Sequence, residues 1–278
     1  MIDFIGLGAQ KAGTSWLYTC LYEHPEICAP QKEIHFFSRD RYAKGLAWYE
    51  SQFARCEEGT KKGEFSTSYL STPGTAERIV KDCPTAKLIA IIRNPIDRAF
   101  SQYRNAIKAG EINKNISFDE YLKHEPSAKE QGLYGKQLFR YFEYVSIQDL
   151  LVMVYEDIEK DPLAFIKTVY EHIGVDPEFV PKSLRSRVNV ARTPRFVLID
   201  RAMHKVAEGL RKIGLDKIVW FVKKSGATDA IRGINTEHTE PGAISDETLK
   251  ELRQFFEKDT RYLSGIMQRD LSGEWGIE

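Results

Sequence analysis

FIGLGAQKAGTSWLYTCLYEHP, residues 4–25, is the stretch whose reading decides the fold. Phe4, Ile5 and Leu7 form a short apolar run of the kind buried in a parallel sheet, and Trp16, Leu17 and Leu21 keep helical spacing after it. Between them lies GAQKAGTS, Gly8 to Ser15. Strand, glycine-containing turn and helix together aim backbone N–H groups and the positive end of a helix, about half a unit charge, at one anion. Gly8 and Gly13 match the glycines of G-x-x-x-x-G-K-[ST], but Thr14 replaces that motif's lysine and the turn carries Lys11 instead. Two glycines alone make an ordinary tight connection; the added Lys11, Thr14 and Ser15 favour an anion site.

Outward from this stretch, KLIAIIR (87–93) and DLLVMVY (149–155) read as further buried strands. Ile96, Ala99, Phe100, Tyr103 and Ile107 share a helical stripe, as do Leu138, Tyr141, Phe142 and Val145. The alternation predicts an α/β fold, a three-layer parallel sheet flanked by helices. PKSLRSRVNVARTPR, 181–195, reads as a basic loop. Beyond it Ile199, Met203, Val206, Leu210 and Ile213 keep helical spacing, residues 215–222 suggest a short helix, and Leu249, Leu252, Phe256 and Leu263 mark a last one. Without repeats or a linker, residues 1–278 are expected to form a single domain, with a helical cover segment at about 196–240.

Lys plus Arg equals Asp plus Glu at 40 each, so no global field draws the chain to nucleic acid or anionic membrane, and any anion site is local. Cys20, Cys28, Cys56 and Cys83 show neither C-x-x-C nor zinc spacing. They read as reduced thiols of a cytoplasmic protein, without disulfides. No run approaches the ~20 apolar residues that span a bilayer. Oligomeric state leaves no mark in the sequence.

Phosphoryl-transfer enzymes commonly hold magnesium through an aspartate near a strand end. Here LIAII ends in Arg93, Asn94 and Pro95, and an arginine there repels a metal and attracts a second phosphate. Ser101, eight residues on, is placed to help on the following helix. Two phosphate sites with no evident metal site suggest a nucleotide phosphorylated at two places on its ribose. Taken alone, Arg93 reads better as a strand-end ion pair with Asp97 or Glu64.

These motifs together carry a family resemblance. FIGLGAQKAGTSWLYTCLYEHP, KEIHFF (32–37), GEFSTSYL (63–70) and IIRNPIDRAFSQY (91–103) resemble, in order and spacing over about residues 3–175, the successive motifs of sulfotransferases that use 3′-phosphoadenosine 5′-phosphosulfate, PAPS. The likeness is greatest to bacterial relatives of the heparan sulfate N- and 3-O-sulfotransferase domains, and it implies the P-loop NTPase-like sulfotransferase fold. By this resemblance Lys11, Ala12, Gly13, Thr14, Ser15 and Trp16 grip the 5′-phosphosulfate, and Arg93 and Ser101 the 3′-phosphate. Glu33 is similar to the family's general base, and its neighbours Ile34, Phe36 and Phe37 are expected to raise its proton affinity by desolvation. Lys11 would stabilise charge on the leaving oxygen. His35 is a second candidate base or acceptor ligand, with a core histidine as its plain alternative, and Lys32 reads as surface charge.

Tyr134, in QGLYGKQL, resembles a residue bordering the cofactor, though an aromatic packing at a helix start fits equally. By the same resemblance Arg192 and Arg195 are candidates for closing a basic loop over the nucleotide, with solvated surface charge as the equal alternative. The chain departs from the glycosaminoglycan enzymes at Glu64-Phe65-Ser66, where many carry Glu-Lys-Ser/Thr, and has no cysteine beyond Cys83 to close their cofactor loop. The resemblance thus implies sulfuryl transfer from PAPS, leaving adenosine 3′,5′-bisphosphate, without a metal, to a hydroxyl or less readily an amine of a glycan, lipid or small-molecule acceptor. A metal-dependent P-loop small-molecule kinase and a noncatalytic nucleotide-binding module are the alternatives.

Overall fold

The structure, a computed structural model, describes residues 2–186, 193–194, 236–237 and 244–278. Contacts divide the chain into two compact units, Met1–Ala99 with Pro126–Asn189 and Asp246–Glu278, and Phe100–Glu125 with Val190–Ser245.

The first unit is built on a parallel sheet. The apolar runs anticipated from sequence are its middle and one flank: β1 (Phe4–Gly8), β4 (Lys87–Ile92) and β5 (Leu150–Val154). Two strands lacking such runs complete it, β2 (Ile27–Cys28) and β3 (Lys61–Phe65), in the order β2-β3-β1-β4-β5. Every pairing is parallel, with Ile5 opposite Glu64 on one side and Leu88 on the other. All five residues of β1 are buried, which is why it reads as a continuous apolar run. Gly6 has no room for a side chain, because the Phe65 ring packs where its Cβ would be.

The chain leaves β1 toward β2 and β3, returns to β4 and continues to β5. Right-handed crossovers therefore place the helices of the two halves on opposite faces. On one face lie α1 (Thr14–Tyr22) and α9 (Pro162–Ile173), joined by Trp16 edge-on to Phe165 and by the Tyr170 hydroxyl donating to the Cys20 carbonyl. Asp161 caps α9 by accepting from Leu163 and Ala164, Pro162 begins it, and Gly174 ends it in the left-handed region. The other face is made by α3 (Thr75–Asp82), α7 (Tyr134–Phe142), α10 (Asp246–Met267) and α11 (Leu271–Trp275). α7 starts four residues before the predicted stripe; Asp259 of α10 accepts from the Gly135 and Lys136 amides and so caps its first turn.

The helix α4 (Pro95–Ala109) continues into the second unit, where Phe100, Tyr103, Phe118 and Tyr121 form an aromatic cluster with α5 (Phe118–His124). Ser117 and Glu120 cap α5 reciprocally. Thr193–Pro194 pairs antiparallel with Thr236–Glu237. The expected cover helices at 196–213 and 215–222, and the rest of segment 196–240, lie outside the described residues apart from that short strand. Within the described residues, no helix is long and apolar enough to cross a membrane.

One expectation is overturned. Cys28 and Cys56 form a disulfide, with Cα atoms 5.6 Å apart across a sequence separation of 28, while Cys20 and Cys83 are free and buried. No local spacing signals it: β2 must pair with β3, and the turn after α2 (Leu46–Ser51) must fold back, before the two sulfurs meet. Closing a loop of this size stabilises by about 2–4 kcal/mol. Urea unfolding of a Cys28→Ser/Cys56→Ser double variant should show a loss of that size relative to the oxidised protein, and alkylation of the unreduced, unfolded protein should label Cys20 and Cys83 alone.

Candidate active site

The C-terminal ends of β1 and β4 and the residues just after β3 converge on the turn Gly8–Gly13. Lys11 and Gly13 both hold positive φ, 68° and 85°, a backbone that gathers successive N–H groups into a concavity suited to an anion. Gly13 is required twice over: a Cβ there would lie 2.8 Å from the Tyr155 ring, and a left-handed backbone strains any other residue. Gly13 supplies no side-chain cap to α1, and the helix has no acidic residue in its first turn, so its amino end stays electropositive. Ala12, Thr14 and Trp16 are buried, the Trp16 indole donating to the Leu184 carbonyl, while Lys11 and Ser15 are half-buried.

Arg93, one residue beyond β4, takes neither ion pair considered for it. Its guanidinium lies 4.5 Å over the Tyr155 ring and donates to the Lys11 carbonyl at 3.3 Å, and its buried Nε has no partner among the described residues. A buried guanidinium N–H without an acceptor, beside an electropositive turn, is the donor set an anionic ligand fits. Tyr134 is 1% exposed and packs edge-on against Trp275, so it stands behind Arg93 as a core aromatic at the start of α7. Its hydroxyl faces the Arg93 amide without closing a hydrogen bond, and burial pushes it up to about 12. Ser101 is half-buried on α4 in the second unit, and Arg192 and Arg195 lie outside the described residues.

The KEIHFF loop completes the site. Glu33 and His35 both hold positive φ, 61° and 53°, and the loop is tied down by main-chain bonds: the Glu33 amide to the Phe65 carbonyl, the His35 amide to Ser66 Oγ, and the Phe36 amide to Tyr69 Oη. The Glu33 carboxylate is 34% exposed, open enough for an acceptor to reach. It accepts from the Thr67 amide and hydroxyl and lies 3.0 Å from His35 Nε2. His35 Nδ1 is 2.7 Å from Ser68 Oγ, so both ring nitrogens are partnered, one by Glu33 itself.

Two expectations are corrected here. Burial does push the Glu33 carboxyl up, but hydrogen bonds from His35 and Thr67 and the charge of Lys32 outweigh it, and its pKa falls below the ordinary carboxylate value. Lys32 is not surface charge: its ammonium donates to Ser15 Oγ at 2.7 Å and Thr14 Oγ1 at 3.4 Å, and lies 3.8 Å from Glu33. Burial lowers its pKa against the pull of Glu33. Lys32, Thr67 and Tyr155 were the residues that sequence reasoning underweighted. Lys32 was legible as the neighbour of Glu33, but only the fold turns it toward the α1 terminus. Phe65 packs inward on Gly6 and Phe4, and the cation placed beside Glu33 among the described residues is Lys32.

Residues 2–192 match the Sulfotransferase domain family. Heparan sulfate glucosamine 3-O-sulfotransferase 6 of Homo sapiens is 31% identical over 175 residues, 61% of this chain and 51% of that protein. The membrane-associated sulfotransferase kil1 of Dictyostelium discoideum is 30% identical over 145 residues, 50% of this chain and 31% of that protein. The chain thus spans about a third to a half of the length of these curated relatives. The crystal structure of a sulfotransferase from Alicyclobacillus acidocaldarius superposes with a TM-score of 0.72 over 99% of both chains at 25% identity. With the family matched from β1 through the basic loop, and the same fold along its whole length in a solved sulfotransferase, the chain belongs to the sulfotransferase family.

Proposed function

We propose that this protein transfers the sulfuryl group of PAPS to a hydroxyl of a glycan, lipid or small-molecule acceptor, with Glu33 as general base. The observation that carries the reading is Lys32, whose single ammonium spans the hydroxyls at the start of α1 and the carboxylate of Glu33. A donor anion held at the α1 terminus and a base for the acceptor would then sit on two sides of one cation, the juxtaposition in-line group transfer requires.

The Gly8–Trp16 turn fits the 5′-phosphosulfate through its backbone N–H groups, Ser15 and Lys11, and Arg93 fits the 3′-phosphate through its unpartnered Nε. Ser101 is assigned to the same phosphate, and Arg192 and Arg195 to closure over the nucleotide, on the sequence resemblance. Bound there, PAPS supplies the activated sulfuryl group. Glu33, ionised through the neutral range because its pKa is lowered, takes the proton from the acceptor hydroxyl as the new O–S bond forms. His35, fixed between Glu33 and Ser68 through both ring nitrogens, orients that carboxylate. Lys11 and Lys32 provide positive charge where the leaving phosphate oxygen gains electrons.

Calorimetry tests the donor site. Adenosine 3′,5′-bisphosphate should bind without magnesium and more tightly than ATP; ATP binding that requires magnesium would point to a kinase. Glu33→Gln should lower kcat by about 10²–10⁴-fold, the range for one acid–base group, while adenosine 3′,5′-bisphosphate affinity changes less than about threefold. Turnover unchanged in that variant would reject Glu33 as the base, and nucleotide binding with no sulfuryl transfer to any acceptor would leave a binding module. Arg93→Ala should act on the nucleotide first. Losing one charged hydrogen-bonding group, about 1.5–3 kcal/mol, weakens adenosine 3′,5′-bisphosphate about 10- to 150-fold in the same titration.

A further inference from the structure

Behind the KEIHFF loop lies a second carboxylate that takes no part in the scheme above. Glu64, at the end of β3, is completely buried. It accepts from the hydroxyls of Tyr69 at 2.6 Å, Ser66 at 2.7 Å and Tyr49 at 3.3 Å. Two of those hydroxyls face the loop: Ser66 Oγ accepts from the His35 amide at 2.8 Å, and Tyr69 Oη from the Phe36 amide at 2.8 Å and the Phe37 amide at 3.4 Å. We propose that Glu64 is a positioning residue, which holds Glu33 and His35 in their reactive geometry by fixing the polarity of these two hydroxyls. The inference rests on the reading of Glu33 as the base.

A hydroxyl has one proton to donate, and an ionised carboxylate can only accept. Ser66 and Tyr69 must therefore both turn their protons toward Glu64, which leaves their lone pairs to the loop's N–H groups. The loop needs such a hold because Glu33 and His35 both occupy the left-handed region, which non-glycine residues keep only when the surroundings impose it. A protonated or amide side chain at position 64 would itself donate, so one hydroxyl would lose its acceptor and its hold on the loop would loosen.

The titratable groups facing Glu64 are Tyr49 from α2, Tyr18 from α1, Tyr69 after β3, Cys83 after α3, and Glu33 in the loop, all neutral or anionic. Burial, with the charge of Glu33 in the same direction, pushes the Glu64 carboxyl up to about 7 against the hydrogen bonds it receives. Its folded value lies above the unfolded one. Its contribution to stability is therefore complete below the unfolded pKa and lost as pH rises through about 7, so its ionised form is retained at a stability cost above that pH. Acidification through the same range protonates Glu64 and loosens the loop.

The test compares wild type, Glu64→Gln, Ser66→Ala and Tyr69→Phe, each saturated with adenosine 3′,5′-bisphosphate, by amide hydrogen exchange at residues 33–37. The same proteins are assayed for sulfuryl transfer from PAPS to 4-nitrophenol or, in its absence, to water. Ser66→Ala should speed exchange at His35 about tenfold or more and Tyr69→Phe at Phe36 and Phe37, while Glu64→Gln should reproduce at least one of these two patterns. Each should lower kcat at least about tenfold with nucleotide affinity within about threefold of wild type. Wild-type kcat should fall as pH drops through about 7, and Glu64→Gln should lack that limb. The Tm of Glu64→Gln at pH 8 should equal or exceed that of wild type.

Unchanged exchange at 35–37 in Glu64→Gln, an unaltered pH profile, or a loss of activity that tracks a lowered Tm would overturn the proposal. If wild type neither binds the nucleotide nor transfers a sulfuryl group, the sulfotransferase reading fails instead, and the exchange pattern still shows whether Glu64 holds the loop.

Discussion

The amino end of α1 meets the protein with its positive charge unspent. Gly13 gives it no side-chain cap and its first turn has no acid, while Lys32 adds an ammonium within hydrogen-bonding reach of Thr14 and Ser15. Helix termini leave N–H groups that must find acceptors, and gathering cations beside such a terminus disfavours it unless an anion arrives. The geometry around it follows from keeping that terminus open. The left-handed backbone at Gly13 lets Tyr155 pack closely, and Tyr155 in turn carries the guanidinium of Arg93.

A carboxylate so near this cluster has its proton affinity settled by its neighbours more than by its burial. Glu33 is partly covered by apolar residues, yet His35, Thr67 and Lys32 together hold its pKa below the ordinary value. Glu64 is the reverse case: it is hydrogen-bonded by three hydroxyls, but complete burial, with the charge of Glu33 in the same direction, pushes it up to about 7. Two carboxylates linked through Ser66 and the loop backbone thus hold protons differently: burial prevails at Glu64, while at Glu33 hydrogen bonds from His35 and Thr67, with the charge of Lys32, outweigh it.

Much of this was legible in the residues. The three apolar runs became β1, β4 and β5; β1 and β4 are buried nearly throughout, where a strand has no polar side to alternate with, while β5, last in the sheet order, is half-buried along its middle. β2 and β3 were not legible. One has two residues, and the other begins Lys61-Lys62-Gly63 and is half-buried where it starts, so neither carries a hydrophobic period. The Cys28–Cys56 bond was hidden for the same reason, since it depends on those two strands pairing.

The sequence by itself determined the strand-turn-helix with Lys11 and Gly13, the arginine at the end of β4, and Glu33 in its motif, because each is set by residue identity and short-range spacing. Only the tertiary structure decided that Lys32 turns inward to join the α1 terminus to Glu33, that Glu64 backs the loop through two hydroxyls, and that the upward push of burial on Glu33 is outweighed by its partners. Those outcomes depend on which charges and donors are brought within a few ångströms by chain segments distant in sequence, and electrostatic interaction at that range is governed by distance and solvent exclusion, neither of which the order of residues records.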